Sequence, residues 1–110
     1  MNYKVLLVDD EPLTLEGLKL IVDWENLGYG ISGECSDGEE AISVMTKISP
    51  DVVITDIQMP LVDGLQLIKL GKELNPSTKF IGIGGYDEFE YARRALQFGG
   101  KHFILKPIFS

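Results

Sequence analysis

Charged side chains follow three short apolar segments of the sequence, at the point where each segment ends. The acids Asp9 and Asp10 follow the first segment, Asp56 follows the second, and Lys106 follows the third. Short aliphatic runs of this kind are typical of buried parallel strands. In an open α/β sheet, ligands bind just beyond the carboxyl ends of the strands. We therefore expect these acids and one ammonium group to meet at one edge of a sheet, where they would form a site for a hard cation and a phosphoryl group.

The elements that must position these residues alternate between strand and helix. Apolar residues at helical spacing separate five strand-like runs, which we place at residues 4–8, 31–35, 51–55, 79–83 and 102–105. Parallel strands need such crossover connections, which are right-handed almost without exception. The pattern predicts an α/β fold with a doubly wound, five-stranded parallel sheet and helices on both faces. No residues follow that could form a last helix, so we expect one face near the fifth strand to be bare.

Composition limits the range of functions. A chain of 110 residues fits one domain, and its formal net charge of −7 opposes direct binding to nucleic acid. The sequence has no apolar stretch of membrane-spanning length and no signal-peptide pattern, so we expect no membrane association. The single cysteine, Cys35, cannot form an intramolecular disulfide, which suits the cytoplasm. We expect Cys35 to be a buried thiol rather than a nucleophile.

Four motifs, in order, resemble one family. These are V-L-L-V-D-D-E-P, D-V-V-I-T-D-I-Q-M-P-x-x-D-G, G-Y-D-E-F-E-Y-A and F-I-L-K-P-I. The chain resembles the receiver domain of two-component response regulators from Tyr3 to Ile108, and is most similar to receivers that precede an AraC-type DNA-binding module. The resemblance implies a flavodoxin-like (βα)5 fold, with a sensor histidine kinase as partner. It also implies that residues 1–110 form a receiver without its fifth helix and output domain, through which alone DNA would be bound.

The resemblance also implies roles for individual residues. Asp56 would be the phosphoacceptor, and Asp9 and Asp10 would be the acidic pair. Mg²⁺ would be held by these acids and by the main-chain carbonyl of Gln58. Lys106 would contact a phosphoryl oxygen. The module would not be an enzyme in the ordinary sense, beyond self-catalysed phosphotransfer and autodephosphorylation.

The sequence departs from the family in its switch residues. The family places Ser or Thr at the end of the fourth strand, where this chain has Gly84, while Phe103 would be the switch aromatic. A missing hydroxyl predicts a weakened conformational response to phosphorylation. The missing fifth helix contributes to the usual dimer surface, and the apolar face left exposed predicts self-association.

Other functions fit part of the pattern. A phosphorylation-independent pseudo-receiver that binds proteins fits the loss at Gly84, but the intact acids argue against it. A phosphohydrolase on the same kind of sheet would need a general acid where this chain has Gln58, and an amide cannot take that role.

The aromatic residues from Tyr86 to Tyr91 fit either a partner-facing surface or part of the core. Asp63 and Gly64 are expected to begin the third helix.

Overall fold

The computed structural model describes residues 3–57, 59, 62–84 and 100–105, the last of these through their backbone. Within these ranges there are five strands and three helices. The strands are β1 (Tyr3–Val8), β2 (Tyr29–Cys35), β3 (Val52–Asp56), β4 (Lys79–Gly84) and β5 (Gly100–Leu105). The helices are α1 (Pro12–Ile21), α2 (Gly38–Ile48) and α3 (Gly64–Leu74).

The strands pair in the order β2-β1-β3-β4-β5, and every pair is parallel. The predicted parallel sheet with a helix between strands is confirmed for the crossovers that the structure describes. The helix predicted between β4 and β5, with its aromatic residues from Tyr86 to Tyr91, lies outside the described residues. No helix in the described part of the chain has the length and apolar character needed to cross a membrane.

Two strands begin two residues earlier than predicted, and the other boundaries differ by at most one residue. The second strand is predicted to begin at Ile31, whereas Tyr29 and Gly30 already pair with Tyr3 and Lys4 of β1. The fifth strand begins at Gly100 rather than His102. In both places a glycine was read as a break. A glycine weakens a strand without preventing it, and the ladder to the neighbouring strand extends the element.

The described side chains cover both faces of the inner strands of the sheet. Alternate residues of β1 point to opposite faces, so Leu6 and Val8 belong to one buried cluster and Val5 and Leu7 to the other. The first cluster includes side chains from α2 and α3, and the second includes Leu18 of α1. Burial on both faces explains why β1 is a continuous apolar run instead of an alternating one.

Local hydrogen bonds fix where the helices begin. The Asp63 side chain accepts from the backbone N–H of Gln66, and the Gln66 side chain accepts from the Asp63 N–H, which together form a capping box. Asp37 caps α2 in a similar way, accepting from Glu40 N at 2.7 Å. The predicted start of the third helix at Asp63 and Gly64 is confirmed.

Polar groups at the amino ends of the strands bond to one another, and we call this side of the sheet the amino edge. The Lys4 N–H donates to the Asp51 carboxylate at 2.7 Å, and the buried Thr78 hydroxyl donates to the Pro50 carbonyl at 2.6 Å. The Trp24 indole N–H donates to the Leu18 carbonyl at 3.0 Å, which ties the loop after α1 to that helix. The first two bonds join residues that are 47 and 28 positions apart in the chain.

Candidate functional site

Four acids meet at the carboxyl ends of β1 and β3, on the side of the sheet that we call the carboxyl edge. One carboxylate oxygen from each of Asp9, Asp10, Glu11 and Asp56 lies within 4.8 Å of the others. Asp9 and Asp56 are buried, at 0% and 4% exposure, while Asp10 and Glu11 are exposed. The predicted approach of Asp9, Asp10 and Asp56 is therefore confirmed, and the structure adds Glu11, which was not among the predicted ligands.

The acidic turn after β1 is held by backbone hydrogen bonds. The Asp9 N–H donates to the Cys35 carbonyl at 3.0 Å, which ties the turn to the end of β2. Asp9 Oδ1 accepts from the Glu11 N–H at 2.8 Å. Glu11 stands at the N-cap of α1, but its side chain makes no capping hydrogen bond. A cap side chain that does not bond its own helix can turn toward the other acids, as Glu11 does.

The neighbouring strand and the following loop fix Asp56. It is the last residue of β3, and in the parallel register it pairs with Ile83 of β4, whose carbonyl accepts from the Ile57 N–H at 3.0 Å. The buried Thr55 hydroxyl donates to the Asp56 carbonyl at 2.9 Å. The Gly64 N–H donates to the Ile57 carbonyl at 2.7 Å, which closes the loop between β3 and α3 at its base.

Gly64 has a second role that the sequence analysis did not assign to it. A Cβ at this position would overlap the Asp56 carbonyl oxygen and would lie 2.6 Å from Ile57 Cα. Only glycine lets the start of α3 approach this backbone so closely. The signal in the sequence was the Asp63-Gly64 pair soon after a buried strand, which was read only as a helix start.

The donor set fits a small, hard cation. Four carboxylate oxygens this close repel one another, and a divalent cation between them removes the repulsion. Mg²⁺ prefers oxygen ligands and is commonly bound by one or two carboxylates together with water and phosphate oxygens. Asp9, Asp10 and Asp56 are thus suited to hold Mg²⁺, with Glu11 at the exposed side of the cluster.

Of the four remaining predicted site residues, two lie in described strands and two lie outside the described residues. Gly84 is buried and is the last residue of β4, where it pairs with Leu105 of β5. The backbone of Phe103 pairs with Gly82. Gln58 and Lys106 lie outside the described residues, so their predicted roles stay predictions.

Cys35, at the end of β2, is a buried thiol, as predicted. It is 1% exposed. The pKa of the thiol is raised from 9.0 to about 12, mainly by burial, with smaller contributions in the same direction from the charges of Glu40 and Asp37. A thiol with this pKa carries almost no thiolate at neutral pH and is not a nucleophile.

A parallel sheet with acids crowded at the carboxyl ends of its two central strands defines the class of response-regulator receivers. The chain belongs to this family, because the model of the response regulator receiver domain matches residues 5–110. A transcriptional regulatory protein of Bacillus subtilis, YesN, which is described as uncharacterized, is 46% identical over 105 residues. That match covers 96% of this chain and 28% of YesN.

Solved structures agree with the family. The receiver domain of AraT, a response regulator from Geobacillus stearothermophilus, superposes with a TM-score of 0.92 at 39% identity. The match covers 97% of this chain and 83% of that one. A two-component transcriptional regulator AraC from Clostridium phytofermentans gives 0.88 at 34% identity, with 97% and 83% covered. The predicted resemblance to receivers of AraC-type regulators is confirmed.

The chain is shorter than the curated relatives that it matches. It spans 28% of the length of YesN and 41% of a response regulatory protein of Staphylococcus epidermidis. What those longer proteins do beyond their receiver part is therefore not shown for this chain.

Proposed function

We propose that this receiver is a phosphoacceptor module in which Asp56 takes a phosphoryl group from a phosphohistidine of a sensor kinase. The observation that carries the proposal is the position of Asp56, a buried carboxylate whose oxygen lies within 4.8 Å of three other acids at the carboxyl edge. Carboxylates brought together at a strand end form the oxygen-rich site that a divalent cation prefers, and a cation there would reduce the repulsion between Asp56 and an incoming phosphoryl group.

The reaction moves one phosphoryl group. A carboxylate oxygen of Asp56 forms a bond to phosphorus while the bond from phosphorus to the histidine nitrogen breaks. The phosphohistidine reacts with its other ring nitrogen protonated, so the electron pair of the broken bond returns to the ring and the histidine leaves as neutral imidazole. The product is an acyl phosphate on Asp56. Mg²⁺, when bound, supplies charge neutralisation between the two anions, which is the main requirement of phosphoryl transfer.

The chain's own residues hold the reacting group in place. Asp9 and Asp10 would bind Mg²⁺ together with Asp56 and the main-chain carbonyl of Gln58. The strand register and the Gly64 contact orient the backbone that carries Asp56. Lys106 would act as a point charge on a phosphoryl oxygen, the role that suits an ammonium group.

The whole protein would act on transcription in the cytoplasm. The likeness to receivers of transcriptional regulators supports a DNA-binding output domain controlled by phosphorylation. The active form would be a homodimer. In that arrangement DNA is bound by the output domain, and the acidic receiver binds only the kinase and its own copy.

The test is Mg²⁺-dependent binding of beryllofluoride, a phosphoryl mimic, measured by isothermal titration. We expect saturable binding to the wild type that is lost in Asp56→Asn and in the presence of EDTA. Asp51→Asn is the matched control, because it removes an acid from the amino edge of the same strand. It should bind as the wild type does. Absence of binding to a folded wild-type sample would refute the phosphoacceptor function.

A second candidate function follows from Gly84. This residue ends β4 at the carboxyl edge and offers no hydroxyl to a phosphoryl group. The alternative is a pseudo-receiver that binds a protein partner without phosphorylation. In the first proposal the switch response is weak but present, so NMR shifts on adding beryllofluoride should be small around Gly84 and Phe103 and larger in Gly84→Thr. Large wild-type shifts there would contradict a weakened switch, and no bound state at all would favour the pseudo-receiver.

A further inference from the structure

The described residues of the loop between β3 and α3 contact the rest of the molecule at three places. Ile57 and Met59 are buried in the core cluster that packs under α2 and α3. At the far end of the loop, Gly64 closes on Ile57. Between them, Val62 lies against Gly38, the first residue of α2. The first two contacts lie at the carboxyl end of β3. The third contact is made with a different helix, α2.

The contact between Gly38 and Val62 leaves no room for a side chain. A Cβ at Gly38 would overlap the Val62 carbonyl oxygen and would lie 2.9 Å from both Val62 Cβ and Cγ1. Because one of these atoms belongs to the backbone, a side-chain rotation cannot relieve the overlap. Any residue larger than glycine must therefore displace the loop or the helix.

The helix is the more firmly held of the two. Asp37 accepts from Glu40 N at 2.7 Å, and Glu40 Oε1 accepts from the Ser36 N–H at 2.8 Å, so the start of α2 is bonded on both sides of Gly38. Ala41 and Met45 of the same helix are buried in the core. A side chain at Gly38 is therefore expected to move the loop more than the helix.

We infer that Gly38 is a positioning residue for the metal and phosphoryl site. The start of α2 supports Val62, which is two residues before Gly64, and the Gly64 backbone lies against that of Asp56. The inference rests on the proposed function, since it concerns the same site. It adds that a residue of another helix, which carries no carboxylate, sets the affinity of the site.

The experiment compares two glycine substitutions that crowd the same core. Gly38→Ala presses on the loop, whereas Gly71→Ala in α3 presses on Phe80 Cζ at 2.5 Å and Met45 Cε at 3.0 Å, away from the acids. Both should lower stability. Only Gly38→Ala should weaken Mg²⁺-dependent beryllofluoride binding, by about tenfold, the lower end of the usual cost of losing outer-shell support at a metal site.

A pair of valine truncations tests the same contact without overpacking. Val62 and Val44 are both half-buried and pack on the same core cluster, but only Val62 is in the loop. We expect Val62→Ala to weaken binding by roughly threefold and Val44→Ala to leave it unchanged, since only the first loosens the support of the site. This pair decides the question if Gly38→Ala does not fold.

The outcomes separate the inference from the proposed function. Wild-type affinity in Gly38→Ala and Val62→Ala would overturn the positioning role while leaving the phosphoacceptor function in place. Equal losses in Gly71→Ala and Gly38→Ala would also overturn it, because general destabilisation would then explain both. A folded wild type that binds no beryllofluoride would overturn the two together.

Discussion

Polar groups are arranged in opposite ways at the two edges of the sheet. At the amino edge, donors meet acceptors: the Asp51 carboxylate receives the Lys4 N–H and the Pro50 carbonyl receives the Thr78 hydroxyl. At the carboxyl edge, four acids of the same charge are brought within 4.8 Å of one another. The first arrangement stabilises the fold, and the second costs stability.

The comparison shows where function lies in this fold. At the amino edge the polar groups bond to one another, while the acids at the carboxyl edge form an oxygen-rich cluster that is suited to a cation. The same parallel strands supply both edges, so the difference comes from the residues at the strand ends and not from the sheet. Three predictions test how far this contrast extends.

The largest expected effect is a difference in stability loss between glycine substitutions at the two edges. Gly64→Ala should lower the free energy of unfolding by about 3 kcal/mol, the upper range for overpacking, because the new Cβ meets the Asp56 backbone. Gly28, which precedes β2 at the amino edge, has φ +87° and nothing within 4 Å of an added Cβ. Gly28→Ala should lose only about 1 kcal/mol, from backbone conformation alone. Urea unfolding measures both, and equal losses would contradict the role of close packing at Gly64.

The next effect is a pH dependence at the carboxyl edge. The pKa of the Cys35 thiol is raised from 9.0 to about 12, so the folded state favours the protonated thiol. Its contribution to stability is fully present below pH 9 and is lost as the pH rises toward 12. Above pH 9, stability should fall by up to about 1.4 kcal/mol per pH unit more in the wild type than in Cys35→Ala.

Urea unfolding at pH 8, 9 and 10 measures this difference in slope. The lysines and tyrosines that also titrate in this range are shared by both proteins, so their contribution cancels. Parallel stability curves for the two proteins would show that the thiol is not desolvated in solution.

The smallest expected effect is a change in the free energy of unfolding when one acid is neutralised. It compares the two edges most directly, because the same substitution is made at each. In the presence of EDTA, Asp10→Asn should raise the free energy of unfolding by about 1 kcal/mol, because it removes one of the crowded charges. Asp51→Asn should lower it by about 1 kcal/mol, because the Lys4 N–H loses a charged acceptor. The same chemical change would then have opposite signs at the two edges.

Repeating the test with added Mg²⁺ distinguishes binding at the carboxyl edge from binding elsewhere. A ligand that binds only the folded state raises the free energy of unfolding by RT ln(1 + [L]/Kd), where [L] is the free ligand concentration. Thermal unfolding should therefore show a larger Mg²⁺-dependent rise for the wild type than for Asp10→Asn, and an unchanged rise for Asp51→Asn. A Mg²⁺ effect of the same size in all three proteins would indicate binding elsewhere.

The sequence was informative wherever burial dictates the residue type. β1 and β3 must be apolar on both faces, so their ends could be located, and with them Asp9, Asp10 and Asp56. The helix start at Asp63 could be predicted because a cap needs a short side-chain acceptor. The start of β2 could not, because Tyr29 and Gly30 join the strand only through their pairing with Tyr3 and Lys4.

By itself, the sequence determined the alternation of strands and helices, the parallel sheet and the edge at which the acids meet, because each follows from hydrophobic burial along the chain. Only the tertiary structure decided that Glu11 joins the acids and that Gly64 lies against the Asp56 backbone. It also placed Gly38 of α2 against Val62 of the loop. These contacts depend on how the helices pack on the sheet, and no local pattern in the sequence shows how closely two backbones approach after that packing.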